Sequence, residues 1–98
     1  MNLIDQDMIT LDTVVTKTGD LLSSKIDEET VLMSFRNNEY YGMNKAASRI
    51  WQIIEEPTSV KVIIQALIRE FDVDIQVCQS DVVEYLNVLL SKKLISVS

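Results

Sequence analysis

The chain has no histidine, one cysteine, one proline and two glycines among its 98 residues, and each scarcity removes a class of function. Without histidine there is no Ser-His-Asp triad and no imidazole ligand for zinc. With Cys78 as the sole thiol, an intrachain disulfide is impossible and almost no thiolate ligands remain. Cys78 reads as a small, reduced residue. Two glycines cannot build a phosphate-cradling loop, and catalysis by scattered carboxylates is disfavoured. Long apolar runs are missing as well. Met1-Asn2-Leu3-Ile4-Asp5-Gln6-Asp7 is acidic and mixed rather than basic and then apolar, so it does not read as a signal peptide. No stretch approaches membrane-spanning length, and a cytoplasmic location is the expectation. Bases are outnumbered, nine against fifteen acids, for a formal charge of -6. That balance repels polyphosphate and favours neutral or basic partners. Solubility explains it too, because Asp27-Glu28-Glu29 and Glu55-Glu56 look like solvated turns.

What is present suits one compact domain, residues 1–98, with an apolar fraction of 47%. The N-terminal half alternates with period two and the C-terminal half with helical period, without internal repeat or low-complexity stretch, which makes the fold class α+β. A first strand is expected from about Met8 to Thr16, where Ile9, Leu11, Val14 and Val15 sit among threonines. Lys17 to Glu29 reads as a long polar connection, with room for a short strand near Leu21-Leu22 or Ile26. Thr30 to Phe35 is a strand, Arg36-Asn37-Asn38-Glu39 a turn, and Tyr40 to Met43 its hairpin partner.

Asn44 caps a helix in which Ala47, Ile50, Trp51 and Ile54 form a buried stripe, and Pro57 ends it. Thr58 or Ser59 caps a second helix, with Val60, Ile63, Ile64, Leu67, Ile68 and Phe71 on one face and Lys61, Gln65, Arg69 and Glu70 opposite. After a turn at Asp72-Val73-Asp74, Ser80 is the expected cap of a third helix from Asp81 toward Lys92, with Glu84 near its start. Leu94 to Val97 closes the chain, possible as an extended segment. The third helix carries more apolar residues than one stripe needs: Val82, Val83, Tyr85, Leu86, Val88, Leu89 and Leu90. Either the helix is buried on two sides, or part of its apolar face borders a groove beside a sheet edge that accepts an extended peptide.

A family resemblance runs through most of the chain. Val31-Leu32-Met33, Tyr40-Tyr41-Gly42-Met43-Asn44, Ala47, Ile50-Trp51, Thr58 with Val60, Phe71-Asp72-Val73-Asp74, Asp81-Val82, Tyr85-Leu86, Leu89 and Leu94-Ile95 occur in an order that resembles the PqqD-like family. These are the recognition elements of ribosomally made, post-translationally modified peptides. The chain departs from the family pattern at Met43, where leucine is usual, at Glu55-Glu56-Pro57, and near Lys92-Lys93, where a glycine is usual. Only local turn geometry is affected.

The resemblance implies a winged helix-turn-helix-like domain, a three-stranded antiparallel sheet packed on three helices. It implies a non-catalytic protein without cofactor or metal that binds the leader segment of a precursor peptide. The leader would add as a strand beside Glu39, Tyr40, Tyr41, Gly42 and Met43 and lie against Asp81, Val82, Tyr85, Leu86 and Leu89. Free-standing chains of this size resemble the leader-binding proteins of lasso-peptide pathways, whose partner is a leader peptidase or another modifying enzyme, with neither nucleic acid nor membrane involved.

Residue chemistry leaves some roles open. Trp51 is core. Tyr40 and Tyr41 point to opposite faces, and the sequence does not say which meets a ligand. Tyr85 is the preferred groove aromatic. Asp81 either meets a basic leader residue or, the favoured reading, stabilises the start of its helix through the macrodipole. Lys92 and Lys93 suit a helix C-terminus. Two rival functions remain. A winged-helix DNA-binding regulator would want basic and amide side chains where the third helix has Asp81, Glu84 and an apolar face. An acidic carrier protein would need a serine for its prosthetic arm, usually after Asp, and no Asp-Ser pair occurs.

Overall fold

The computed structural model describes residues 9–98. Its elements are β1 (Val14–Lys17), β2 (Leu21–Ile26), β3 (Glu29–Ser34), β4 (Glu39–Met43), α1 (Lys45–Ile53), β5 (Thr58–Ser59), α2 (Val60–Glu70), α3 (Ile75–Ser91) and β6 (Ile95–Val97). They form two antiparallel three-stranded sheets, ordered β5-β1-β6 and β2-β3-β4, with three helices, so the α+β expectation holds. No helix among the described residues is long and apolar enough to cross a membrane.

The meander β2-β3-β4 follows from its turn residues. Asp27 (φ 58°) and Asn38 (φ 56°) take left-handed conformations that short polar side chains tolerate, closing both hairpins. Register pairs Leu22 with Met33 and Met33 with Tyr40, while Leu32 faces Ser23 and Tyr41. Thr30, Leu32 and Ser34 therefore point to the core, and Val31 and Met33 point away from it.

Three sequence expectations need correction. The first strand is Val14–Lys17 rather than 8–16; Met8 lies outside the described residues. Ahead of it, Thr13 N–H donates to the Thr10 carbonyl at 3.1 Å, making a turn. The carbonyls of Leu11 and Thr13 accept from the N–H groups of Lys61 and Val60 at the start of α2. Threonine-rich sequence, locally satisfied by its own hydroxyls, thus serves the helix end instead of a ladder. The connection from Lys17 to Glu29 contains a full six-residue strand, β2. The third helix begins at Ile75, not Asp81, because Asp74 takes the cap: its carboxylate accepts from Gln76 and Val77 N–H, both at 3.0 Å.

Elsewhere the reading stands. Asn44 Oδ1 accepts from Ala47 N–H at 2.9 Å, and Ser59 Oγ accepts from Val62 N–H at 3.3 Å. The buried stripes Ala47, Ile50, Trp51 and Ile54 of α1, and Val60, Ile63, Ile64 and Leu67 of α2, meet Cys78, Val82, Leu86 and Leu89 of α3. Val15, Leu32, Met43, Leu94 and Ile95 complete that core from the strands and the chain end. Burial of each large side chain contributes about 1.5–3 kcal/mol.

Candidate functional site

The strand β4 is an edge: β3 pairs with one side of it and, among the described residues, no strand pairs with the other. It runs directly into α1, and the junction is held from inside by buried Ser48, whose hydroxyl donates to the Met43 carbonyl at 3.0 Å. Ser48 N–H also donates to the Asn44 carbonyl at 2.8 Å. A free edge that is fixed at one end by a helix start is a template for a further strand.

Beyond this junction lies a cavity of about 340 Å³. One wall is the beginning of α1, with Asn44, Ala46, Ala47 and Ile50. The floor and end are Leu67, Phe71 and Val73. The opposite wall is α3, where Val77, Cys78, Asp81, Val82 and Tyr85 recur at helical spacing. Nearly all of this surface is carbon, and small residues on α1 leave the space open. Burial pushes the Tyr85 hydroxyl above its ordinary pKa. Burial, and then the neighbouring Asp81 charge, does the same for the Cys78 thiol.

The far end of β4 is polar. Tyr41 Oη donates to Glu39 Oε1 at 2.7 Å and accepts from Asn37 Nδ2 at 3.0 Å. Asn37 Nδ2 also donates to the Lys92 carbonyl at 2.8 Å, and the Lys92 ammonium lies 5.5 Å from the Tyr41 ring centre. The Glu39 hydrogen bond raises the Tyr41 pKa first, partial burial next. This cluster ties the β3–β4 turn to the C-terminus of α3, so β4 has an apolar end at Met43 and a polar end at Glu39.

The ten residues singled out from the sequence fall into two groups. Glu39, Tyr40, Gly42 and Asp81 are exposed, and Tyr41 and Tyr85 are half-buried. Met43, Val82, Leu86 and Leu89 are buried in the core. Tyr40 points outward, and Tyr41 points to the helix side. Of the ten, only Asp81, Val82 and Tyr85 line the cavity. Sequence reasoning did not place Val77 and Cys78 there, although each is four residues before Asp81 and Val82 on the same helical stripe. Phe71 and Val73 were read only as core and turn. The favoured account of Asp81 also fails, because this residue lies beyond the first turn of α3, where the macrodipole no longer helps.

An edge strand beside an apolar, half-open cavity between helices is the kind of surface on which an extended peptide can lie. The family model for coenzyme PQQ synthesis protein D (PqqD) matches residues 29–95, and the chain belongs to that family. A solved structure of TbiB1 in complex with the TbiA(beta) leader peptide is 30% identical, with a TM-score of 0.78 over 83% of this chain and 94% of that one. A lasso peptide synthetase B1 complexed with the leader peptide shares the fold at 18% identity, with a TM-score of 0.69 over 84% of this chain and 96% of that one. No curated protein sequence matches.

Proposed function

We propose that this protein captures the leader segment of a ribosomally made precursor peptide and presents it to a processing enzyme of a lasso-type pathway, performing no chemistry itself. The free edge of β4 beside the apolar cavity is the observation that carries this reading. The leader adds as a strand along Glu39, Tyr40, Tyr41, Gly42 and Met43. Its backbone supplies affinity and its alternate side chains supply specificity. Asp81, Val82 and Tyr85 border the seat for an apolar leader side chain, while Leu86 and Leu89 hold α3 at the right distance from within the core. Capture raises the concentration of the precursor at the enzyme, so modest contacts yield selective processing. The encounter takes place in the cytoplasm, where the precursor leaves the ribosome.

A protein partner is supported by the outer face of the β2-β3-β4 sheet. Leu22 is 60% exposed, Ile26 62% and Tyr40 71%. On β2 the arrangement is inverted: Leu22 and Ile26 face outward while Ser23 and Lys25 face the core side. The row Leu22, Met33, Tyr40 runs to the free edge of β4, so a leader strand would lengthen it. The processing enzyme docks on this face and meets carrier and leader together.

Calorimetric titration with the leader half of a cognate precursor peptide, against a scrambled leader, tests the reading. Sequence-dependent binding with a negative heat-capacity change is expected. Equal heats from both peptides, with the protein folded, would refute it.

A further inference from the structure

Asp81 is the one charged side chain on the wall that α3 gives to the cavity; its companions there are Val77, Cys78, Val82 and Tyr85. Nothing among the described residues pairs with it. It is too far into α3 to serve the helix start, where Asp74 already caps. It takes part in none of the three ion pairs among the described residues and makes no side-chain hydrogen bond there. Its neighbours one helical turn away are Val77, Cys78, Glu84 and Tyr85, with no cation among them.

The two cations of α1 each have an acid partner. On α1, Lys45 pairs with Glu28 at 3.1 Å, and Arg49 grips Glu70 through two bonds of 2.7 and 2.8 Å. An exposed carboxylate on an apolar wall, without an ion-pair partner among the described residues, is open to a cation that a ligand supplies. A peptide strand covering it would exclude water and strengthen the interaction.

We propose that Asp81 reads charge in this groove, selecting leaders that carry a lysine or arginine beside the apolar side chain seated in the cavity. The inference rests on the leader-capture reading above. It makes the groove bipartite: carbon surface gives affinity for any apolar anchor, and Asp81 discriminates among anchored peptides by the residue that flanks the anchor. The negative charge of the chain as a whole favours the same leaders from a distance, but that attraction is not positional.

The test is selection from a random dodecapeptide display library on the parent chain, on Asp81→Asn and on Asp81→Lys. Because Asp81 is exposed and its side chain makes no bond among the described residues, all three proteins should give the same circular dichroism spectrum. The parent should enrich peptides with Lys or Arg at constant spacing from an apolar residue, and Asp81→Lys should enrich Asp or Glu there. A synthetic consensus peptide should bind Asp81→Asn roughly tenfold more weakly, the size of one charge-assisted hydrogen bond. The gap should shrink as salt is raised. If parent and Asp81→Lys enrich the same apolar-anchored peptides without charge preference, the role of Asp81 is refuted while leader capture stands. If the parent enriches nothing, leader capture falls and this role with it.

Discussion

Lys93 occupies a position that its side chain disfavours. It has φ 62°, and unlike the other left-handed residues, Asp20, Asp27 and Asn38, it has no short polar group suited to that conformation. It sits there because α3 ends in a Schellman motif: Leu94 N–H donates to the Leu89 carbonyl and Lys93 N–H to the Leu90 carbonyl, both at 3.0 Å. Replacing it by glycine removes a steric cost of roughly 1–2 kcal/mol for an L-residue in this conformation. Glycine returns about 0.5–1 kcal/mol through its freer unfolded chain. Loss of the lysine charge near a helix C-terminus costs a few tenths more, roughly 0.3 kcal/mol at an exposed site. Lys93→Ala loses the same charge yet keeps the strain, so it is the proper reference. Lys93→Gly should exceed Lys93→Ala by about 0.5–1 kcal/mol, a gap of roughly 2–8 °C in Tm for a domain of this size. Thermal and urea denaturation followed by circular dichroism read both quantities. Alanine melting with glycine, or above it, would refute the strain argument.

Other consequences are equally open to measurement. Leu22→Glu should leave leader affinity and Tm nearly unchanged but reduce precursor cleavage by the processing enzyme at least tenfold, since a charge in an apolar interface core is costly; unchanged cleavage rates would remove the outer face from the partner interface. Cys78 should react with a thiol reagent at neutral pH far more slowly than after denaturation, and more slowly still with leader bound, because burial holds its pKa up and it lines the cavity. Labelling that leader does not slow would argue against occupancy of the cavity. The Arg49 hydrogen bonds lower the Glu70 pKa, so their contribution is present above the ordinary carboxylate range and fades as pH falls through it toward the lowered value. At this exposure the effect is a few tenths to about 1 kcal/mol. Glu70→Gln should flatten that part of the acid slope, and an unchanged slope would assign it to other carboxylates.

The helices that bury a single stripe were legible because burial and periodicity agree. In α1 and α2, each cap is a side chain with one adjacent apolar pattern to start, and the structure uses Asn44 and Ser59 for those tasks. The strand β2 was not legible for the opposite reason. Only Leu21 packs against the core while Leu22 and Ile26 face away from it, so no alternation against a buried set was recognisable, and Ser23-Ser24-Lys25 read as loop. A strand whose apolar residues mostly face outward cannot be recognised from a rule that assumes burial of one face in the core. The edge strand and the helix opposite it were placed by family resemblance as much as by residue chemistry.

The misplaced start of α3 carries the larger lesson about function. Asp74 and Ser80 are both competent N-caps, and Ile75 and Val77 between them are more than half exposed, so no buried stripe announced the extra helix. Starting at Ser80, Asp81 looked like an ordinary first-turn acid with its charge explained by the helix. Starting at Asp74, the same residue stands beyond the first turn, and the extra residues Val77 and Cys78 extend the cavity wall around it. A carboxylate explained by its own helix raises no question of a ligand, whereas an exposed one on an apolar wall, with no partner among the described residues, is free to meet one. Under the leader-capture proposal, the position of a single cap thus separates a reading of this groove as a nonspecific apolar slot from one in which Asp81 distinguishes among leaders.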